Sequence, residues 1–248
     1  MEPHEQCWVR LPLDGAINVR ELGGYPIPND GQTRFHRFLR GDCLGRLSRR
    51  DERFLRDYGV SAIVDLRDPS EVHDCPDKRI GPNVVYTNIA LLDVNLADVE
   101  EVERTFYAPG FSMKTMYGEM IENYEAVRDC FRFIAEAPDG CVLFHCAVGK
   151  DRTGVLAMLL LSLAGVDKWD IVANYVQTQH NLMRDDAYVA DWLDPANRGF
   201  RPAMESAADV IEHAYDLVEN DHGGVENYLL ECGVPDEEVA AVWRRLVS

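Results

Sequence analysis

Short apolar runs alternate with amphipathic stretches along this chain. Val60-Ser61-Ala62-Ile63-Val64-Asp65-Leu66 and Val84-Val85-Tyr86-Thr87-Asn88-Ile89 are rich in β-branched residues and predict strands. Cys141-Val142-Leu143-Phe144 is shorter and uniformly apolar, as a strand buried on both faces should be. Ser48 with Asp51 three residues on, then Phe54 and Leu55, predicts a helix start, and Gly59 its end. Met113, Met116, Tyr117, Met120, Ile121, Tyr124, Val127, Phe131 and Ile134 recur at three- and four-residue spacing and predict one helix with a Met and Tyr stripe as core packing. Val155 to Ala164 predicts a buried helix ending near Gly165, and Asp167 caps another with Trp169, Ile171, Val172 and Tyr175 inward. Two helices close the chain. One runs from Val225 to Cys232 and stops at Gly233; the other opens at Pro235 and carries Val239, Val242, Trp243 and Leu246 on one face.

Strands alternating with helices imply an α/β fold: a single domain over 1–248, with a mainly parallel sheet flanked by helices. Asn95 to Arg104 is acidic and reads as helical, and Ala108-Pro109-Gly110 breaks it. From 181 to 204 the pattern is irregular. Long unpatterned loops in compact domains are often functional, so this stretch reads as a lid or substrate-rim insertion.

Charge narrows the partners. The net charge of −18 argues against nucleic acid and against stable association with anionic membranes. The polar, acidic start predicts no signal peptide. Seven cysteines without Cys-x2-Cys spacing argue against a disulfide framework or structural zinc, and fit a reducing cytoplasm. Oligomeric state is not legible, nor whether Cys43 or Cys75 pairs with Cys146.

The chemistry concentrates in His145-Cys146-Ala147-Val148-Gly149-Lys150-Asp151-Arg152-Thr153-Gly154, between the apolar strand and the buried helix. A strand-to-helix loop aims backbone N–H groups and the positive helix end at one spot, which suits phosphate. A thiol there, beside a cation, ionises readily and becomes a nucleophile. Cys146 would attack phosphorus. The amides of Ala147, Val148, Gly149 and Lys150 and those following would hold phosphoryl oxygens, and Arg152 would grip two of them with its planar fork. The Thr153 hydroxyl lies close enough in sequence to bond the Cys146 sulfur, and His145 orients the loop. A nucleotide phosphate loop is a poor alternative: it needs Gly-x4-Gly-Lys-Ser/Thr, whereas Gly149-Lys150 is followed by Asp151.

These ten residues resemble the His-Cys-x5-Arg-Ser/Thr loop of the cysteine-dependent protein-tyrosine phosphatases. Their form is similar to the atypical, tyrosine-serine branch found largely in bacteria. Asn18-x-Arg20-x2-Gly23-Gly24 looks like another segment of that branch, one that supports the loop from below. Phe38-Leu39-Arg40-Gly41-Asp42 is similar to the family's Arg-Ser-Gly segment, with Gly-Asp in place of Ser-Gly. Asp65-Leu66-Arg67-x3-Glu71 resembles Asp-Leu-Arg-x3-Glu, where Arg67 and Glu71 are expected to pair. The resemblance implies a single phosphatase domain, a phosphocysteine intermediate and no metal or cofactor. The substrate would be a phosphorylated protein or a small phosphomonoester: phosphotyrosine, with phosphoserine, phosphothreonine or phosphoinositides as further classes.

Two residues compete as general acid. Asp151 lies inside the loop, where myotubularin-type lipid phosphatases also carry Asp, and the resemblance implies an acid role there. Asp93 follows a strand end, as a mobile acid loop would place it. Lys150 supports the alternative reading as a phosphoinositide phosphatase, since an extra cation in the loop suits a second phosphate. A catalytically dead phosphate-binding module is the remaining alternative, and the intact Cys146 and Arg152 count against it.

Overall fold

The computed structural model describes residues 10–29, 31–92, 111–195, 197 and 201–247. The described residues contain seven strands: β1 (Arg20–Glu21), β2 (Pro26–Ile27), β3 (Gly31–Gln32), β4 (Phe38–Gly41), β5 (Val60–Asp65), β6 (Val85–Asn88) and β7 (Cys141–His145). β2 and β3 form a separate hairpin; the other five make one sheet in the order β1-β4-β7-β5-β6. β4, β7, β5 and β6 pair in parallel, and β1 is an antiparallel edge. β7 is thus the middle strand, and all five of its residues are buried. The mainly parallel α/β sheet expected from the sequence is the sheet observed.

The helices are α1 (Arg49–Tyr58), α2 (Pro69–Asp74), α3 (Met113–Glu122), α4 (Tyr124–Glu136), α5 (Asp151–Leu163), α6 (Lys168–Leu182), α7 (Asp186–Leu193), α8 (Arg201–Met204), α9 (Ala208–Asp221), α10 (Val225–Glu231) and α11 (Asp236–Val247). α1 begins in a capping box of Ser48 and Asp51 and ends at Gly59, whose φ of 97° only glycine adopts at little cost. α5 is apolar on every side because it is enclosed by α3, α6, α9, α10 and the strands β4 and β7. Its Leu159, Leu160 and Leu161 are fully buried, each worth roughly 1.5–3 kcal/mol of transfer free energy. This anchoring fixes the first turn of α5 against the C-terminal end of β7.

Three expectations are corrected. The stripe from Met113 to Ile134 spans two helices, broken at Asn123. The Asn123 side chain accepts from the Ala126 N–H and donates to the Leu91 carbonyl, so it starts α4 and ties it to the strand layer. Both halves bury the same core, which is why the period continues across the break. Trp169 points outward, 65% exposed beside the Lys168 ammonium, while Ile171, Val172 and Tyr175 are buried as expected. The stretch from 181 to 204 is not wholly irregular: it contains α7, started by the Asp185 side chain, and α8. The expected helix from Asn95 to Arg104 lies outside the described residues.

Candidate active site

The loop after β7 is held from outside by its carbonyl groups. The Cys43 N–H donates to the Ala147 carbonyl (3.1 Å). Asn18 Nδ2 donates to the carbonyls of Val148 and Gly149 (3.0 Å each). Arg40 Nη2 donates to those of Gly149 (3.0 Å) and Lys150 (3.4 Å). In a planar trans peptide the C=O of one residue and the N–H of the next point in opposite directions, and the described chain has no cis bond. Four carbonyls pulled outward therefore turn the N–H groups of Val148, Gly149, Lys150 and Asp151 inward. The Gly149 N–H does point inward, donating to Cys146 Sγ at 3.3 Å. Gly149 has φ +72°, and a Cβ there would lie 2.5 Å from the Gly41 carbonyl oxygen, so the turn requires glycine. The result is a concave set of amides around a buried thiol at the N-terminus of α5.

Two guanidinium groups are buried beneath this cradle. Arg20 bonds the carbonyls of Asn18 and Asn174, the Asn18 side chain and the Thr178 hydroxyl. Arg40 bonds Asn174 Oδ1 (2.6 Å) and the loop carbonyls. Among the described residues the hydrogen-bond partners of both are neutral oxygens, and no carboxylate is bonded to either. Burial pulls Arg20 well below its ordinary value, and repulsion by Arg40 adds to it. Burial lowers Arg40 to about 10, which leaves it charged at neutral pH. These cations make the loop a positive well inside a protein of net charge −18. Asn18 and Arg20 thus support the loop, as their sequence context implied. Arg40 joins them, and Asn174 on α6 is a support the sequence did not reveal.

Arg152 and Glu71 meet across 81 residues of sequence. Arg152 Nη1 bonds Glu71 Oε2 and Nη2 bonds Oε1, with both side chains buried. Burial opposes the Arg152 charge, but Cys146, Glu71 and Asp151 together raise it above its ordinary value. Both Nη atoms of the fork face Glu71, while the buried Nε has no partner among the described residues. The expected Arg67–Glu71 pair is therefore absent. Arg67 instead bridges Asp65 (2.6 Å) and Asp77 (2.9 Å), because α2 turns Glu71 toward the loop and leaves Arg67 beside the end of β5.

His145 continues this second network. Its Nδ1 lies 3.2 Å from the Cys146 carbonyl and its Nε2 lies 2.8 Å from Asp77 Oδ2. Both neighbours are oxygens that can accept from the ring. Burial alone would lower its pKa; the hydrogen bond and charge of Asp77, with the charge of Asp65, raise it on balance. Asp65, Asp77 and His145 have ligand-type atoms within 4.8 Å of one another. That set does not suit a cation, since the Arg67 guanidinium already fills the space between the carboxylates. The His145 ring thus meets the loop at the Cys146 carbonyl, the orienting contact expected of it.

The remaining loop residues are placed as follows. Asp151 Oδ1 accepts from the Tyr117 hydroxyl at 2.9 Å and lies 3.3 Å from Lys150 Nζ. Burial and the Asp151 charge push the Tyr117 phenol well above its ordinary value, so it remains a donor. Tyr117 also meets the Tyr175 hydroxyl at 2.7 Å. Asp151 Oδ2 has no hydrogen bond among the described residues. Lys150 is buried, and its ammonium donates to the carbonyls of Ala203 and Glu205 (3.1 Å to the latter), so the chain near α8 closes over it. The Thr153 hydroxyl turns to the Gly41 carbonyl (3.5 Å) rather than to the Cys146 sulfur. Ala147 and Val148 form the outer lip, Val148 being 40% exposed. Asp93 lies outside the described residues. Asn174 has no local signal, because its partners are remote in sequence; Glu71 stands in the Asp65-Leu66-Arg67-x3-Glu71 segment, but with Arg152 rather than Arg67 as its partner.

No helix among the described residues is long and apolar enough to cross a membrane. The chain is 34% identical over 219 residues to the tyrosine-protein phosphatase of Nostoc commune, covering 84% of this chain and 74% of that one. It is 30% identical over 231 residues to H16_A0669 of Cupriavidus necator, covering 90% and 83%. It is 24% identical over 274 residues to the triple specificity protein phosphatase PtpB of Mycobacterium tuberculosis, covering 92% and 95%. Residues 11–248 match the model of the tyrosine phosphatase family, and with that match, which takes in the Cys146 loop and its supports, the chain belongs to the tyrosine phosphatase family.

Proposed function

We propose that this enzyme hydrolyses phosphotyrosine in proteins, with phosphoserine and phosphothreonine as further substrates, through a phosphocysteine intermediate. The observation that carries the reading is the inward amide cradle around Cys146 Sγ, with the unpartnered Nε of Arg152 beside it. Cys146 attacks phosphorus as thiolate, and the leaving oxygen takes a proton as the P–O bond breaks. The amides of Val148, Gly149, Lys150 and Asp151 stabilise the equatorial oxygens, and Arg152 Nε donates to one of them while Glu71 holds its fork. Water then cleaves the P–S bond and returns the thiolate.

Asp151 is the acid in this reading, with Oδ1 held by Tyr117 and Oδ2 left to carry the proton. Asp93 is its rival. The loop sequence supports membership of the tyrosine-serine branch. We take 1–248 as one phosphatase domain, with 181–204 as its rim, acting in the cytoplasm without metal. The phosphoinositide alternative loses support from Lys150, whose ammonium is engaged by the Ala203 and Glu205 carbonyls. A panel of phosphotyrosine, phosphoserine and phosphothreonine peptides beside soluble phosphoinositides tests the assignment. The highest kcat/KM is expected on phosphotyrosine; turnover confined to phosphoinositides would replace this reading.

A further inference from the structure

Outside the loop, two thiols touch. Cys43 Sγ and Cys75 Sγ lie 3.5 Å apart, both half-buried and both free. The Gly45 N–H donates to Cys43 Sγ (3.4 Å). Arg67 Nη1 donates to the same sulfur (3.3 Å) and to the Cys75 carbonyl (2.8 Å). A Cβ at residue 45 would sit 2.5 Å from Cys75 Sγ, so glycine there keeps the approach of the two sulfurs open. The pair joins two supports of the site. Cys43 donates its N–H to the Ala147 carbonyl, and Cys75 ends α2, which carries Glu71.

We propose that Cys43 and Cys75 form a modification site, a dithiol that hydroperoxides oxidise reversibly to a disulfide. One thiol, Cys75, attacks the peroxide; the O–O bond breaks, giving Cys75 sulfenic acid and an alcohol or water. The Cys43 sulfur then attacks the Cys75 sulfur, its proton leaves with the hydroxyl as water, and the S–S bond forms. The two sulfurs lose two electrons, and the peroxide gains them. Cys43 serves as the resolving thiol: the Gly45 N–H and Arg67 Nη1 already hold its sulfur 3.5 Å from Cys75 Sγ. A disulfide needs the sulfurs about 2.05 Å apart, so they must close by roughly 1.5 Å. That closure draws the end of α2 toward the segment bonded to Ala147, and shifts Glu71 and the Arg152 it holds.

The consequence for the loop rests on the oxyanion site proposed above; the cross-link itself does not. The test uses the full chain as Cys146→Ser, which removes oxidation at Cys146 from the readout. After hydrogen peroxide, peptide mapping should find Cys43 joined to Cys75, and reductant should release them. Affinity for inorganic phosphate should fall roughly tenfold, the worth of one hydrogen bond to a charged group, and recover on reduction. In Cys146→Ser/Cys75→Ser, peroxide should leave phosphate affinity unchanged. No Cys43–Cys75 link, a link to another cysteine, unchanged affinity in the linked protein, or an equal fall in the double variant would each overturn the proposal. Failure of untreated Cys146→Ser to bind phosphate would count against the oxyanion site instead, and mapping would still decide the dithiol.

Discussion

Glu71→Gln removes one charge from the buried pair that sets Arg152. Both side chains are almost wholly buried, and Glu71 accepts from both Nη atoms. Glutamine keeps one acceptor but turns an NH2 toward the second Nη, leaving a buried guanidinium uncompensated. Breaking a buried pair in this way typically costs about 3–5 kcal/mol. For a chain of this length roughly 2–4 °C of melting temperature follows each kcal/mol, so Tm should fall by about 6–20 °C. The freed guanidinium should also shift and carry its Nε away from the thiol, and a displacement near 1 Å lowers kcat by about 10²-fold. Thermal melts and steady-state kinetics on a phosphotyrosine peptide read both effects, with Glu71→Asp, which retains the charge, as the milder comparison. A Glu71→Gln protein melting within about 2 °C of the parent with unchanged kcat would refute the claim that Glu71 positions Arg152.

Three further predictions concern the loop. Asp151→Asn should slow phenyl phosphate far more than nitrophenyl phosphate, because an aligned acid contributes about 10²–10⁴-fold only where the leaving group needs its proton. Uniform slowing, with selective loss in Asp93→Asn, transfers the acid role to Asp93. Gly149→Ala should lose phosphate binding, since its Cβ would meet the Gly41 carbonyl at 2.5 Å at a φ of +72°. Retained affinity by calorimetry would mean the cradle tolerates another shape. His145 is held above its ordinary 6.5, so its contribution to stability is complete below that pH and is lost as pH rises through the folded value. Stability curves should show this loss in the parent and not in His145→Asn, and imidazole NMR should give a midpoint above 6.5.

Much of the site was legible because it is local. The Cys146 loop, its flanking strand and its buried helix are contiguous, and the pattern changes from all-apolar strand to Gly-rich turn to all-apolar helix within a few residues. Capping made α1 and α6 readable through Ser48, Asp51 and Asp167. α9 was missed although Val210, Ile211, Ala214 and Val218 form a buried stripe, because Ala207 at its start offers no capping side chain. The Arg67–Glu71 pairing failed for a different reason. Residues four apart at a strand-to-helix junction need not share a helical face, and Glu71 found its partner on another element. The carbonyl grip by Asn18, Arg40 and the Cys43 amide is set by sheet order, which places β4 beside β7, and no single segment encodes that.

The central claim is that Cys146 carries the phosphoryl group during turnover. Acid-quenched turnover of a phosphorus-labelled phosphotyrosine peptide, followed by peptide mapping, tests it most directly. The account predicts label on the peptide bearing Cys146, absent in Cys146→Ser although that protein still binds phosphate. Label on a histidine or aspartate, or turnover retained by Cys146→Ser, would contradict it.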